Sequence, residues 1–361
     1  MRVKRTILLV YHTYSTFVEA DHQILSKHYD VRHYHFEISK RLLPFLWAFV
    51  RQFAYLIWNA ARIDIFYCWF SDYHSFFPLL FAKILSKKSV IIVGGYDSVS
   101  IPEIEYGIFY RNNARALFAL LTYKLADHIV AVDDSLVAGV NTYLNGTPRS
   151  VGLTRYVNNV KHKCTTIPTG YDQNKWHMPT NGIKELSVLS VALVSTVNEL
   201  RRKGFDFLLT VATLIPEVKF TLVGAQGQAQ VYCEKQRPSN VEVLSAVPTD
   251  ELVNYFARTK VFCQFSLYEG LPNTLCEAML CECIPVGSGI SGIIKGIGDS
   301  GFILNNRDVR QAKNLILGAL QSDEALGKKA RQRIVDNFLT EHRERALLSL
   351  LEDELDKDAH D

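Results

Sequence analysis

Twice along this chain, short β-rich apolar runs alternate with stretches of helical period, and a polar break separates the two series. The first series reads Thr6 to Val10, a helical pattern from Val18 to Lys27, then Val31 to His35, Asp64 to Trp69 and Ser89 to Val93. A helical pattern from Ala114 to Leu125 then precedes the strands His128 to Val132 and Cys164 to Ile167. The second series begins at Leu186 to Val194, with helices at Phe205 to Leu214 and Asp250 to Arg258 and strands at Val218 to Val223, Val241 to Leu244 and Val261 to Phe265. A helix from about Thr274 to Cys281 leads into the short strand Ile284 to Val286. Strands spaced by helices of this length read as parallel βαβ units, whose sheet is covered on both faces.

The break, Thr169 to Lys184 (TGYDQNKWHMPTNGIK), is rich in turn formers and has no apolar period. A chain of 361 residues also exceeds the size at which one core stops growing. The expected architecture is α/β: two Rossmann-like domains, residues 1–170 and 171–337, facing each other across a cleft. A terminal helix at about 338–361 is expected to pack back on the first. Neither half carries GxGxxG after its first strand, which argues against a dinucleotide oxidoreductase, and the Walker pattern GxxxxGK[ST] is absent.

The net charge of +3 argues against a dedicated nucleic-acid binder, but it is unevenly placed. Residues 1 to 180 hold 20 Lys and Arg against 13 Asp and Glu, while the remainder holds 20 against 24. A positive first half suits an anionic lipid or acceptor, or is incidental surface composition. The most apolar stretch, Leu42 to Trp58, is interrupted by Pro44, Arg51 and Gln52 and is too short to span a bilayer. It reads either as a core helix or as an interfacial one, since Lys40, Arg41 and Arg51 accompany Trp47 and Trp58.

The seven cysteines show no CxxC pair, and no cleavable signal is evident, so the expected compartment is the reducing cytosol. Cys276, Cys281 and Cys283 read as small packing residues rather than metal ligands. The one D-x-D pair, Asp356 and Asp358, lies in a charged tail, so no metal is expected.

The stretch FSLYEGLPNTLCEAMLCECIPVG, Phe265 to Gly287, carries the chemistry. A strand ends near Phe265, Glu269 sits in the turn, Gly270, Leu271 and Pro272 block a helix, and a new helix opens at Asn273 or Thr274. Such a helix start offers the unpaired N–H groups of Asn273, Thr274 and Leu275 and about half a positive charge to an anion, which suits a diphosphate. Glu269 would face a sugar on the distal phosphate, and Glu277 would take the two ribose hydroxyls. A structural alternative makes Thr274 and Glu277 a capping box and Glu269 a solvated turn residue.

In this region the sequence resembles the E-x7-E signature of retaining glycosyltransferase family 4, commonly EG(L/F)(P/G)xxxxEAM followed by a strand with G-x-P-V. The match covers Glu269, Gly270, Leu271, Pro272, Asn273, Glu277, Ala278, Met279, Pro285 and Val286. Further landmarks recur in order. Ile167 to Asp172 is similar to I-P-N-G-V-D, Lys203-Gly204 to a K-G pair, and Phe220 to Gly224 to a strand ending in V-G. Val241 to Leu252 resembles the segment beside the nucleobase, and Ala126-Asp127 an A-D before a strand.

The resemblance implies a GT-B fold and transfer of a hexose-type sugar, with retention, from a nucleoside-diphosphate sugar to an acceptor hydroxyl on a glycan or lipid-linked glycan. Neither cofactor nor metal is implied. Lys203 would lie over the diphosphate, with Gly224 and the backbone near Leu244 and Ser245 on the nucleotide side. Two departures stand out. The arginine usual five or six residues before the lysine is missing, so either Arg201 or Arg202, the latter favoured, takes its place or phosphate binding leans on Lys203 and the helix start, and the usual first-domain His-Gly is replaced by Gly94-Gly95-Tyr96-Asp97. His74, Tyr14 and Ser15 are the other candidate contacts to sugar or acceptor. The implied setting is polysaccharide or lipid-linked glycan synthesis in the cytoplasm, at the inner face of an anionic membrane. The rivals are a GT-B sugar-nucleotide epimerase and a catalytically silent nucleotide-sugar-binding subunit.

Overall fold

Each apolar run of the first half becomes a strand of one parallel sheet: β1 (Thr6–Tyr11), β2 (Asp30–His35), β3 (Ile65–Trp69), β4 (Lys88–Val93) and β5 (His128–Ala131). β6 (Gly139–Asn141) and β7 (Arg149–Val151) pair as a short ribbon, and β8 (Cys164–Thr166) completes the order β2-β1-β3-β4-β5-β8. The computed structural model describes residues 4–144, 147–179 and 182–356, with side chains as far as 352. Residues 357–361 of the expected terminal helix, Asp358 among them, lie outside the described residues. Beyond the polar residues that open β1 and β4, the central strands are apolar and buried, as a sheet covered on both faces requires. The chain divides into two units, the first comprising residues 1–139, 150–170 and 341–361, the second 140–149 and 171–340.

In the first unit α1 (Thr16–His28) turns Val18, Ile24 and Leu25 into the core. α2 (Leu42–Asn59), α3 (Tyr73–Ile84) and α4 (Ala114–Leu125) interlock through an aromatic ladder. Phe45 meets Tyr73, Phe49 meets Phe77 and Phe118, and Phe53 meets Phe77 and Phe81, with ring centroids 5.0 to 5.9 Å apart. Of the two readings of the 42–58 stretch, the core-helix reading describes one side of α2. Its ladder side is packed, and Leu43, Trp47, Val50 and Trp58 on the other side are exposed. Among the described residues no helix is long and apolar enough to cross a membrane.

α13 (Thr340–Asp356) brings Arg343 into the core of the first unit. Its guanidinium donates to both oxygens of Asp21 at 2.6 and 2.7 Å and to the carbonyls of Ile167 and Pro168. Tyr67 and Trp69 donate to Asp21 as well, so the buried carboxylate is surrounded by donors.

The second unit builds a parallel sheet from β9 (Glu185–Val194), β10 (Lys219–Ala225), β11 (Val241–Leu244), β12 (Thr259–Gln264), β13 (Ile284–Ser288) and β14 (Phe302–Leu304). Its order is β11-β10-β9-β12-β13-β14. The crossovers are α5 (Val197–Lys203) with α6 (Phe205–Ala212), α7 (Gly227–Gln236), α8 (Thr249–Arg258), α9 (Asn273–Leu280) and α10 (Ser291–Ile297). α11 (Val309–Gln321) and α12 (Glu324–Asn337) follow β14. Trp176, within the polar break, packs on Phe256 of α8, and Arg331 donates to its carbonyl, so the break from Tyr171 to Trp176 belongs to this unit.

Candidate active site

The second unit fills its sheet outward from β9, first through β10 and β11, then on the other side of β9 through β12 to β14. The crossovers after β9 and β12 therefore diverge, and open α/β sheets bind ligands at the carboxyl ends of strands at such a switch point. After β9, Thr196 caps α5 in a reciprocal capping box with Glu199. α5 ends at Gly204, where φ is +80° and a Cβ would lie 2.3 Å from the Phe265 carbonyl oxygen, so only glycine fits. The Leu267 amide donates to the Arg202 carbonyl at 2.8 Å. These two ties press the end of α5 against the loop that follows β12.

That seam brings Lys203, Arg202 and Glu269 together. The Lys203 ammonium pairs directly with the Glu269 carboxylate, and Nη1 of Arg202 lies 3.6 Å from the same oxygen. Burial favours a protonated Glu269, but the Lys203 and Arg202 charges outweigh it and hold the carboxyl below its usual range. Burial, with help from Arg202, draws Lys203 down in spite of its partner. The Glu269 carboxylate is thus shared by two cations, with one positive charge in excess, and is not a solvated turn residue.

α9 begins four residues after Glu269, at Asn273. Its cap residue is Pro272, and among the described residues no side chain caps it, so the first-turn N–H groups remain open to an anion. The capping box is not formed. Oγ1 of Thr274 lies 3.2 Å from the Val191 carbonyl and 3.3 Å from Oε1 of Gln264 instead. Oδ1 of Asn273 accepts from the Tyr171 hydroxyl at 3.1 Å. Gly270, Leu271 and Leu275 are buried, and the Gly270 carbonyl packs on Gly292, leaving no room for a side chain there.

Glu277 is partly buried, and among the described residues its carboxylate accepts no hydrogen bond. Burial pushes its carboxyl up to about 7, with Lys175 the one charge opposing the shift. Gly224, at the end of β10, has φ +103°, and a Cβ there would stand 2.4 Å from the Ala192 carbonyl oxygen. Leu244 ends β11 beside Val223, and Ser245 follows it, exposed.

In the first unit the candidates gather at the carboxyl ends of β1, β3 and β4. Asp97 is fully buried and accepts from the amides of Ser71, Gly94 and Gly95 and from the Tyr123 hydroxyl, at 2.9 to 3.2 Å. Burial pushes it up to about 6 against these bonds, and its carboxylate holds the Gly94-Gly95 loop rather than facing outward. Tyr96 is half-buried, its hydroxyl 3.1 Å from Arg115, which is bound by Asp72 through a bidentate pair. His74 is buried against the Trp69 carbonyl at 2.7 Å, and burial lowers it to about 4, so it is neutral and packed. Tyr14 is exposed with its hydroxyl 2.8 Å from Nδ1 of His22, and Ser15 is the cap residue of α1.

Several neighbours of these residues carried no signal in the sequence. Tyr171 braces Asn273, and the charge of Lys175 acts on Glu277. His12, half-buried and 5.2 Å from the His74 ring, and the Asp72–Arg115 pair lie at the strand ends of the first unit. Among the described residues no group of three or more His, Cys, Asp or Glu is arranged to hold a metal. Cys276, Cys281 and Cys283 are buried, and burial pushes their thiols up.

Residues 189–322 match the family model described as Glycosyl transferases group 1. A trehalose synthase of Thermococcus litoralis is 35% identical over 152 residues, which are 37% of this chain and 36% of that protein. The chain thus aligns with about a third of the length of this curated relative. Two solved structures are similar over nearly the whole chain. Anabaena HepE in complex with UDP and glucose has a TM-score of 0.70 at 14% identity, covering 97% of this chain and 99% of that one. Sucrose-phosphate synthase of Thermosynechococcus elongatus has a TM-score of 0.71 at 15% identity, covering 98% and 100%. The fold is that of the GT-B glycosyltransferases, two parallel sheets of six strands each, and the match to the glycosyl transferases group 1 model falls within the second unit.

Proposed function

We propose that this chain is a retaining glycosyltransferase of family 4 that moves a hexose-type sugar from a nucleoside diphosphate to an acceptor hydroxyl. The observation that carries the reading is the convergence of Lys203 and Arg202 on Glu269, four residues ahead of the uncapped start of α9. A diphosphate at that start brings negative charge to the two cations and loosens their hold on Glu269, whose carboxylate then turns to the sugar hydroxyls. As the glycosidic bond breaks, charge grows on the departing phosphate, and Lys203, Arg202 and the α9 amides stabilise it where it develops. Glu277, a carboxylate that accepts no hydrogen bond among the described residues, is the acceptor for two ribose hydroxyls. The acceptor substrate attacks on the face the phosphate leaves and passes its proton to that phosphate, so the protein contributes positioning and charge rather than a nucleophile.

The donor belongs to the second unit and the acceptor to the first, where His12, Asp72, Arg115 and Tyr96 offer polar contacts. The UDP and glucose held by HepE, a protein of the same fold, favour a nucleotide-sugar donor. A lipid-linked glycan at a cytoplasmic membrane face is the acceptor we propose, and no metal takes part. Calorimetry with UDP, GDP and ADP, followed by nucleotide release from their sugar conjugates with and without lipid-linked acceptors, tests the reading. We expect one diphosphate to bind, Lys203→Ala to weaken it, and release to require acceptor with the anomeric configuration kept. Altered sugar freed without acceptor would assign an epimerase, and binding without turnover a silent subunit.

A further inference from the structure

α2 has two apolar sides and only one of them is packed. At 100° per residue, Leu43, Leu46, Trp47, Val50, Ile57 and Trp58 fall within about a third of the helix circumference, opposite the buried Ala48, Gln52 and Leu56 and flanked on one side by the aromatic ladder. All six are exposed, Leu43 by 78%, Trp47 by 64% and Trp58 by 79%. A row of large apolar side chains along 18 residues of one helix is more than scattered surface composition. α3 runs in the same direction as α2, since Phe45 meets Tyr73 and Phe53 meets Phe81. Exposed Ile84 and Leu85, one turn beyond Phe81, therefore extend the apolar surface at the Trp58 end.

The charges around this surface choose its occupant. From residue 38 to residue 63 the sequence has Lys40, Arg41, Arg51 and Arg62 and no Asp or Glu. Arg51 has a loose contact with Glu37 at 3.9 Å, both side chains exposed. A two-fold pairing with a second copy of this chain would set these cations against their own like. An anionic bilayer instead meets the cations at its headgroups, the tryptophans at the interface and the leucines below it. We infer that the outer face of α2 is the surface on which this protein lies against an anionic lipid bilayer. The inference deepens the membrane-face reading above and rests on it for the choice of lipid, but not on the transfer chemistry.

Tryptophan fluorescence of the whole chain with vesicles tests it. Trp69 and Trp176 are buried and Trp47 and Trp58 exposed, so a blue shift on adding vesicles reports α2. We expect a shift, and quenching by bromine on the acyl chains, with phosphatidylcholine vesicles containing phosphatidylglycerol, and a much weaker response with phosphatidylcholine alone. Val50→Asp should lower partition at least tenfold, by loss of an inserted apolar group, and Arg41→Gln about fivefold, by loss of one headgroup contact. Both positions are exposed, so thermal unfolding and UDP binding in solution should stay unchanged. Those two controls separate failure of this inference from failure of the donor-site reading. Wild type that ignores anionic vesicles, or a Val50→Asp variant that partitions equally, overturns the inference. A dimer dissolved by Val50→Asp without vesicle binding also overturns it and assigns the face to a second copy.

Discussion

Replacing Glu277 by Gln keeps the shape of the side chain and removes a charge that the second unit holds at a cost. The carboxyl is pushed by burial from its ordinary 4.5 up to about 7. Between these values the folded chain binds a proton that the unfolded chain releases, so wild-type stability falls as pH rises through the window. The shift corresponds to at most about 3 kcal/mol, and partial exposure to water reduces the expected effect to about 1 to 2 kcal/mol. Glu277→Gln should therefore match wild type below pH 4.5 and melt higher above pH 7, by about 2 to 4 °C per kcal/mol for a unit of this size. The same variant should bind the nucleoside diphosphate about tenfold to a hundredfold more weakly, since a hydrogen bond to a charged group is worth about 1.5 to 3 kcal/mol. Gains in stability with losses in affinity are the signature of a carboxylate kept for a ligand. Thermal unfolding across pH, with calorimetry at pH 8, measures both. A variant that is less stable at pH 8, or that binds as tightly as wild type, would refute the reasoning and return Glu277 to a structural role.

Glu269→Ala should lower turnover by about 10² to 10³ while nucleoside diphosphate affinity stays within about threefold, because the residue addresses the sugar. Steady-state kinetics beside nucleotide titration checks this. Gly204→Ala should cost about 2 to 4 kcal/mol in urea denaturation, from a positive φ and a Cβ 2.3 Å from the Phe265 carbonyl oxygen, and should displace Lys203 enough to reduce transfer. Arg343→Ala leaves Asp21 buried without its charge partner and should cost about 3 to 5 kcal/mol, with no change in diphosphate affinity if the protein is assayed while folded. Transfer should continue in EDTA, and its loss with recovery on adding magnesium or manganese would contradict the metal-free reading.

What could be read in the sequence was what depends on residues within a turn or two of each other. The β-rich runs became strands, and Glu269 to Glu277 became a loop and a helix start, because Gly270 and Pro272 forbid a helix locally. α5 carries a local start signal, the capping box Thr196–Glu199, but at seven residues it is too short for an apolar period to mark it as a helix. Strand order was harder to foresee. Lys203 and Glu269 are 66 positions apart and meet only because β9 lies next to β12. The Asp72–Arg115 pair, 43 positions apart, and the Asp21–Arg343 pair, 322 apart, are likewise products of topology. Asp97 shows the converse. Its place after a strand suggested a ligand contact, yet the amides of Ser71, Gly94 and Gly95 turn it inward, and two of the three belong to its own loop. A polar residue at a strand end is free for a ligand only if its own loop has enough other acceptors for its amides. Glu277 meets that condition because it lies past the open first-turn amides of α9, where the backbone is paired within the helix, whereas Asp97 sits in a turn whose amides need its carboxylate.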